Sequence, residues 1–240
     1  MRTRHVPLVL AAMVAGCGIA GHVTPPAPSP PEAEKPAPRA PATEQLGCIR
    51  HPRIDVWERR LRAERGMGPW ARPDLTRGPA YLPRLRPLVS AAGLPPALAL
   101  LPAVESGFDP DARGRAGERG LWQLRATTAR RFGLVVTGAR DDRLAPERAT
   151  RAAARYLRFL HARYGDWPLA LAAYNAGEGR IDRARAHRPT ATFWELAAAG
   201  ALPRRSQEYV PRFLALVRLH EDMRRCPPAA HPGAALAGLH

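Results

Sequence analysis

Eight prolines fall between residues 24 and 46: Pro25, Pro26, Pro28, Pro30, Pro31, Pro36, Pro38 and Pro41. Proline has a fixed φ and no backbone N–H, so such a stretch can neither continue a helix nor sit inside a sheet. It reads as a disordered but extended, semi-rigid tether of about 3.1 Å per residue, roughly 70 Å in all. Any hydrophobic core must therefore come from the residues that follow. Apolar side chains make up 45% of the 240-residue chain, enough for a single domain with appendages. That domain is expected over residues 48–226, and the Pro/Ala/Gly-rich stretch 227–240 as a disordered tail.

Within 48–226 the apolar spacing is helical. Val56, Trp57 and Leu61 share a face over 55–64, and Leu82, Leu85, Leu88 and Val89 share one over 81–92. Pro95 and Pro96 suit the first turn of a helix that passes Leu98 and Leu101, reaches Glu105 and stops at Gly107. Pro102 interrupts it, which predicts a kink or break just before Glu105. Pro146 and Glu147 open a long helix with a buried stripe of Ala149, Ala153, Tyr156, Leu157, Leu160 and Tyr164. Asp166 is placed to cap a helix over 167–174 that ends near Gly177, and a last helix covers 206–223. No alternating β-branched run demands a sheet, although short hairpins fit within 110–117 or 135–140. The expected fold class is all-α, or α with a minor β-hairpin.

At the N-terminus, Arg2, Arg4 and His5 precede an apolar run from Val6 to Val14 that is broken only by Pro7. The run is too short to cross a bilayer and reads as the apolar part of an export signal over 1–16. It ends in Val14-Ala15-Gly16-Cys17, which resembles the lipobox of bacterial lipoproteins. The resemblance implies cleavage before Cys17 and acylation of Cys17, each buried methylene contributing about 0.8 kcal/mol to membrane anchoring. The lipidated residue and the tether would then occupy 17–47. Gly18 is not the aspartate that retains lipoproteins at the inner membrane, so the implied location is the periplasmic face of the outer membrane. Cys48 and Cys226 bracket the domain. In an oxidising compartment they can form one disulfide; two free thiols are the alternative.

The net charge of +16 would draw the chain to anionic partners. Lys35 is the only lysine, however, and a chain rich in Arg, Ala, Pro and Gly carries the mark of compositional bias. With an export signal in front, this charge is no argument for nucleic-acid binding. The histidines are scattered, no His-Glu-x-x-His run occurs, and no glycine-rich phosphate loop follows a strand, so neither a metal nor a cofactor is expected.

The informative stretches are Leu101-Pro-Ala-Val-Glu105-Ser106-Gly107-Phe108-Asp109-Pro110, then Gly117-Glu-Arg-Gly120-Leu121-Trp122-Gln123, then Ala172-Ala-Tyr174-Asn175-Ala176-Gly177-Glu178-Gly179. Breaking a glycosidic bond needs an acid that stays protonated near neutral pH. An apolar environment raises a carboxyl pKa because the charged form is poorly solvated. Glu105 follows Leu100, Leu101, Ala103 and Val104, the most apolar neighbourhood of any acid in the chain. Asp109 and Asp111 flank Pro110 and read as turn residues, and Glu118 lies in the Gly117–Gly120 turn.

The order and spacing of these motifs resemble lytic transglycosylases of the soluble-lytic-transglycosylase type, the membrane-bound lytic murein transglycosylase D group in particular. The likeness extends to Asp55-Val-Trp-Glu-Arg upstream and Ser206-Gln-Glu-Tyr209-Val-Pro211-Arg-Phe213 downstream, so it covers about 54–222. It implies a lysozyme-like catalytic domain that cleaves the β-1,4 bond between N-acetylmuramic acid and N-acetylglucosamine in peptidoglycan. Glu105 would act first as acid and then as base, leaving 1,6-anhydro ends. Ser106, Gly120, Leu121, Trp122, Gln123, Tyr174, Asn175, Ala176, Gly177 and Tyr209 are implied at the substrate. Trp122 suits either the core or a sugar platform, and Tyr209 suits either core packing or a contact with Glu105. Relatives usually continue after the glutamine with Phe-Met-Pro, whereas Leu124-Arg125-Ala126 stand here. Arg125 is therefore expected to alter subsite preference or to meet peptide carboxylates. Two other readings share these residues: a hydrolytic muramidase, and a peptidoglycan-binding lipoprotein without catalysis.

Overall fold

The structure is a computed structural model and describes residues 46–63, 75–221 and 226. The signal segment, Cys17, nearly all of the tether and the C-terminal tail lie outside the described residues.

Nine α-helices occur among the described residues: α1 Pro52–Ala63, α2 Gly78–Ala91, α3 Leu101–Glu105, α4 Ala126–Arg131, α5 Pro146–Tyr164, α6 Trp167–Ala176, α7 Glu178–Arg185, α8 Phe193–Ala198 and α9 Arg204–His220. No strand forms among them. Where hairpins were considered there are isolated bridges, Arg113 with Arg119, Arg119 with Leu124, and Val136 with Asp141.

Helix α6 is the centre of the domain. Every residue from Trp167 to Ala173 is buried, as expected of a helix that is apolar all round. It packs against α5, α7 and α9. The Asp166 side chain accepts from the Leu169 N–H at 2.9 Å, satisfying one of the amides left unpaired in the first turn. Helix α5 presents the anticipated stripe, with Ala149, Ala153, Tyr156, Leu157, Leu160 and Tyr164 all buried, and ends where Gly165 takes a φ of 68°. Helix α2 packs on α5 and on the 3-10 turn Pro96–Leu100.

The two ends of the domain meet. Helix α1 packs along α9, where the buried Arg218 pairs with Asp55 at 2.6 Å and donates to the Ile49 carbonyl at 2.6 Å. Cys48 and Cys226 form a disulfide beside this contact, separated by 178 positions in sequence. Of the two cysteine states left open by the sequence, the bonded one is present.

Proline 102 breaks its helix one turn earlier than its position suggested. Residues Pro96–Leu100 wind as a 3-10 helix, and a fresh α-turn starts at Leu101. Pro102 thereby falls in a first turn, where the missing N–H leaves no bond unmade. Helices α4 and α7 carry too few apolar residues for a periodicity to show, and α8, Phe193–Ala198, is too short for one. Gly177, read as a stop, is a corner with a φ of 87° that ends α6 and opens α7 at once. Helix α8 did have a local signature: Thr192 and Glu195 form a reciprocal capping box.

Gly120 holds two loops together. Its φ is 73°, and a Cβ there would lie 2.0 Å from the Arg143 carbonyl oxygen. Neither strain nor clash can be relieved by moving a flexible side chain. Gly120→Ala is expected to lower stability by about 2–4 kcal/mol, read as a shift in the urea midpoint. A shift near zero would mean that the 110–125 loop repacks freely.

Candidate active site

The site grows from the end of α3. Its residues Leu101, Pro102 and Ala103 are buried, so the helix carries Glu105 out of the core to the wall of a groove. The groove has a volume of about 770 Å³. The chain then turns sharply: Gly107 and Phe108 adopt φ values of 63° and 56°. Phe108 is fully buried, and that packing holds a non-glycine residue in the left-handed region. The Ser106 hydroxyl donates to the Leu121 carbonyl at 2.9 Å and fastens the glutamate's turn to the Gly120–Gln123 turn.

Glu105 is half-buried, open to the groove on one side and enclosed by protein on the other. Burial pushes its carboxyl pKa up from 4.5 to about 7. The Tyr209 hydroxyl donates to Oε1 at 2.5 Å and opposes the shift, as do the charges of Arg205 and Arg212. The desolvation effect wins, so near neutral pH a substantial share of the glutamate is protonated. The phenols of Tyr174 and Tyr209 are pushed well above their usual range, first by burial and then by the Glu105 charge. Both remain donors.

The implied site residues separate into two layers. Glu105, Gln123, Tyr174, Asn175, Ala176 and Gly177 line the groove. Tyr209 is buried behind the glutamate, and Ser106 acts through its backbone tie. Gly120, Leu121 and Trp122 are buried and do not line the groove. The implied substrate contact for these three is thus corrected to a supporting position. Trp122 is fully enclosed, its indole N–H donates to Thr150 Oγ1 at 2.9 Å, and its carbonyl accepts from the Tyr174 hydroxyl at 2.7 Å. A sugar platform it is not. Gln123 also differs from expectation, since its amide nitrogen donates to the carbonyls of Gly120 and Ala112 at 2.8 and 3.3 Å. Only its Oε1 is left for a ligand.

Other acids are committed elsewhere. Asp109 accepts from the Asp111 N–H at 3.0 Å in a local turn. Burial pushes the Glu118 pKa up, but the Ala116 N–H and Arg125 outweigh it and hold the carboxyl below its ordinary value. Arg125 pairs with Glu118 at 3.1 Å, and both line the groove. Among the described residues no three His, Cys, Asp or Glu side chains are placed to hold a metal ion.

Sequence reading missed Ser206, Glu178 and Arg205. Buried Ser206 donates to Asn175 Oδ1 at 2.9 Å, which turns the asparagine's N–H groups away from that contact. Glu178 anchors Tyr156 and Arg131 at the groove wall. Arg205 lies four residues before Tyr209 on α9, and that helical spacing was the available signal.

Residues 90–197 match the family model described as the transglycosylase SLT domain. Over 176 residues the chain is 36% identical to the membrane-bound lytic murein transglycosylase D of Escherichia coli, covering 70% of this chain and 38% of that relative. Over 96 residues it is 42% identical to the membrane-bound lytic murein transglycosylase F of Alcanivorax borkumensis, covering 37% of this chain and 19% of that protein. The chain also superposes on the solved lytic transglycosylase Slt of Pseudomonas aeruginosa with a TM-score of 0.52 and 25% identity, over 68% of this chain and 27% of that one. This chain therefore spans well under half the length of the two membrane-bound transglycosylases. The fold is of the lysozyme-like SLT type.

The hydrogen bond from Tyr209 gives a prediction with a definite sign. It favours the ionised form of Glu105, so Tyr209→Phe should raise the glutamate's pKa further. The basic limb of a pH–rate profile, where the acid is lost, is expected to move to higher pH by about one unit. An unmoved limb with an altered rate would show that Tyr209 only packs.

Proposed function

We propose that this SLT domain is a lytic transglycosylase of peptidoglycan, cleaving the β-1,4 bond between N-acetylmuramic acid and N-acetylglucosamine. The supporting observation is that Glu105 at the groove wall is raised to a pKa of about 7, while the other two glutamates lining the groove, Glu118 and Glu178, are paired with Arg125 and Arg131. A glycosidase with two working carboxylates needs the second one available as nucleophile or base. Glu118 is occupied by Arg125 and the Ala116 N–H. A reaction that reuses one carboxyl fits this arrangement better.

In the reaction Glu105 gives its proton to the glycosidic oxygen as the bond from C1 to that oxygen breaks, assisted by the acetamido group of the muramyl sugar. The C6 hydroxyl of the same sugar then bonds to C1, and its proton returns to Glu105. The product is a 1,6-anhydro end, and no water is consumed. An internal hydroxyl competes well because its effective concentration at C1 is very high. Tyr209 fixes the rotamer of the acid, and Tyr174 holds the Gln123 turn beside it.

The lipobox-like Val14-Ala15-Gly16-Cys17 and the named relatives support a periplasmic enzyme anchored by lipid at Cys17 to the outer membrane. The tether would then let the domain reach the wall. No cofactor and no nucleic acid is part of this reading.

Digestion of purified sacculi, with mass spectrometry of the soluble fragments, tests the reaction. Anhydro-muramyl ends are expected. Reducing ends would mean hydrolysis, and an absence of fragments would leave only a binding protein.

A further inference from the structure

A second hollow, of about 630 Å³, adjoins the groove; Arg180 and Pro203 line both. One wall comes from α7 and the turn after it, with Arg180, Arg183, His187 and Arg188, and the other from residues 199–203. Arg180, Arg183 and His187 follow the i, i+3, i+7 spacing of one helical face. No Asp or Glu lines the hollow.

The acids nearest in sequence face other partners. Glu178 binds Arg131 and Tyr156, and Asp182 binds Arg163 and Tyr164. Glu195, which Arg188 draws toward its charged form, keeps its hydrogen bonds for Thr192. Among the described residues neither Arg183 nor Arg188 has an ion-pair partner, and Arg180 donates to the Ala176 carbonyl at 2.7 Å. Like charges have thus been gathered at a concavity that no acid lines, which is unfavourable until an anion arrives.

We propose that this hollow is a carboxylate-binding subsite for the peptide stem that branches from a glycan strand lying in the groove. The proposal rests on the peptidoglycan reading above. The sugar rings in such a strand are neutral, and its negative charge resides in carboxylates on the branches. A cationic hollow beside the groove, rather than along it, suits a branch. Guanidinium groups match carboxylates in a two-pronged geometry. Strands stripped of peptide still carry one lactyl carboxylate per muramyl sugar, close to the ring, and these are the other source of the same chemistry.

The test uses the full-length Glu105→Gln protein, so that binding is measured without cleavage. Soluble peptidoglycan strands bearing their stems are compared with the same strands stripped by an amidase. Peptide-bearing strands are expected to bind about 5–10-fold tighter at low salt. Adding Arg183→Gln and Arg188→Gln should bring the ratio of affinities to about one, while Arg183→Lys and Arg188→Lys keep most of it. Equal affinity for the two strands, tighter binding of stripped strands, or a ratio untouched by the Gln pair would overturn the proposal. Release of anhydro-ended fragments by the unmutated protein is scored separately. Its loss sinks the catalytic reading alone.

Discussion

Replacing Glu105 with Gln is expected to cut the release of soluble fragments from sacculi by about 10²–10⁴-fold while leaving the fold intact. Glutamine keeps the size and can still accept from the Tyr209 hydroxyl, which lies 2.5 Å from the acid. It has no proton to give to a leaving oxygen and cannot receive one back. The same variant makes a prediction about stability. In the native protein the glutamate keeps its proton to about pH 7, whereas the unfolded chain sheds it near 4.5. The native state therefore binds more protons across that window, and stability falls as pH rises from 4.5 to about 7, levelling off above. Glutamine removes this dependence. Glu105→Gln should melt at a higher temperature than the parent at pH 8, with the gap closing at pH 4. Loss of activity together with loss of folding would show instead that the glutamate is structural. A rate within a factor of two or so of the parent's would remove it from the mechanism.

The second large effect concerns the covalent tie between the ends. The Cys48–Cys226 bond closes a loop of 178 positions, and long loops gain the most when the unfolded chain is restrained. Replacing both cysteines with Ala, or reducing the bond, is expected to lower unfolding free energy by about 3–5 kcal/mol. Urea titration of parent and variant would read this directly. The same junction has a non-covalent clasp, in which Arg218 joins α9 to Asp55 of α1 and to the Ile49 carbonyl. A loss below about 1 kcal/mol would mean that this clasp and the α1–α9 packing already hold the ends in the absence of the bond. Glu105, Gln123 and Tyr174 lie on other elements, and Arg205, Ser206 and Tyr209 stand nearer the start of α9 than Arg218 does, so activity measured well below the melting range should change far less than stability.

The hollow beside the groove bears on Arg125. That arginine was expected to alter subsite preference or to meet peptide carboxylates, and in the structure it pairs with Glu118 across its own loop. Among the described residues lining the hollow, Arg183 and Arg188, which no motif singled out, have no ion-pair partner.

Much of the domain was legible in the residues. Helices α5 and α6 follow from apolar spacing, Pro146 and Asp166, because a long helix must bury a stripe and open on a residue that suits its first turn whatever surrounds it. Glu105 stood out for a similar local reason: four apolar neighbours in sequence already imply poor solvation of its charge. Local chemistry did not reach the short helices α4 and α7, whose few apolar residues carry no period, or α8, which at six residues is too short to show one. It also left Trp122 open between core and sugar platform. The left-handed backbone at Gln123 decides it, with the Trp122 side chain in the core and Gln123 at the groove. Whether Cys48 found Cys226, whether Tyr209 reached the acid, and which arginines kept a partner were settled by contacts between positions up to 178 apart. Such contacts depend on how the helices pack, and packing is a property of the assembled core rather than of any segment within it.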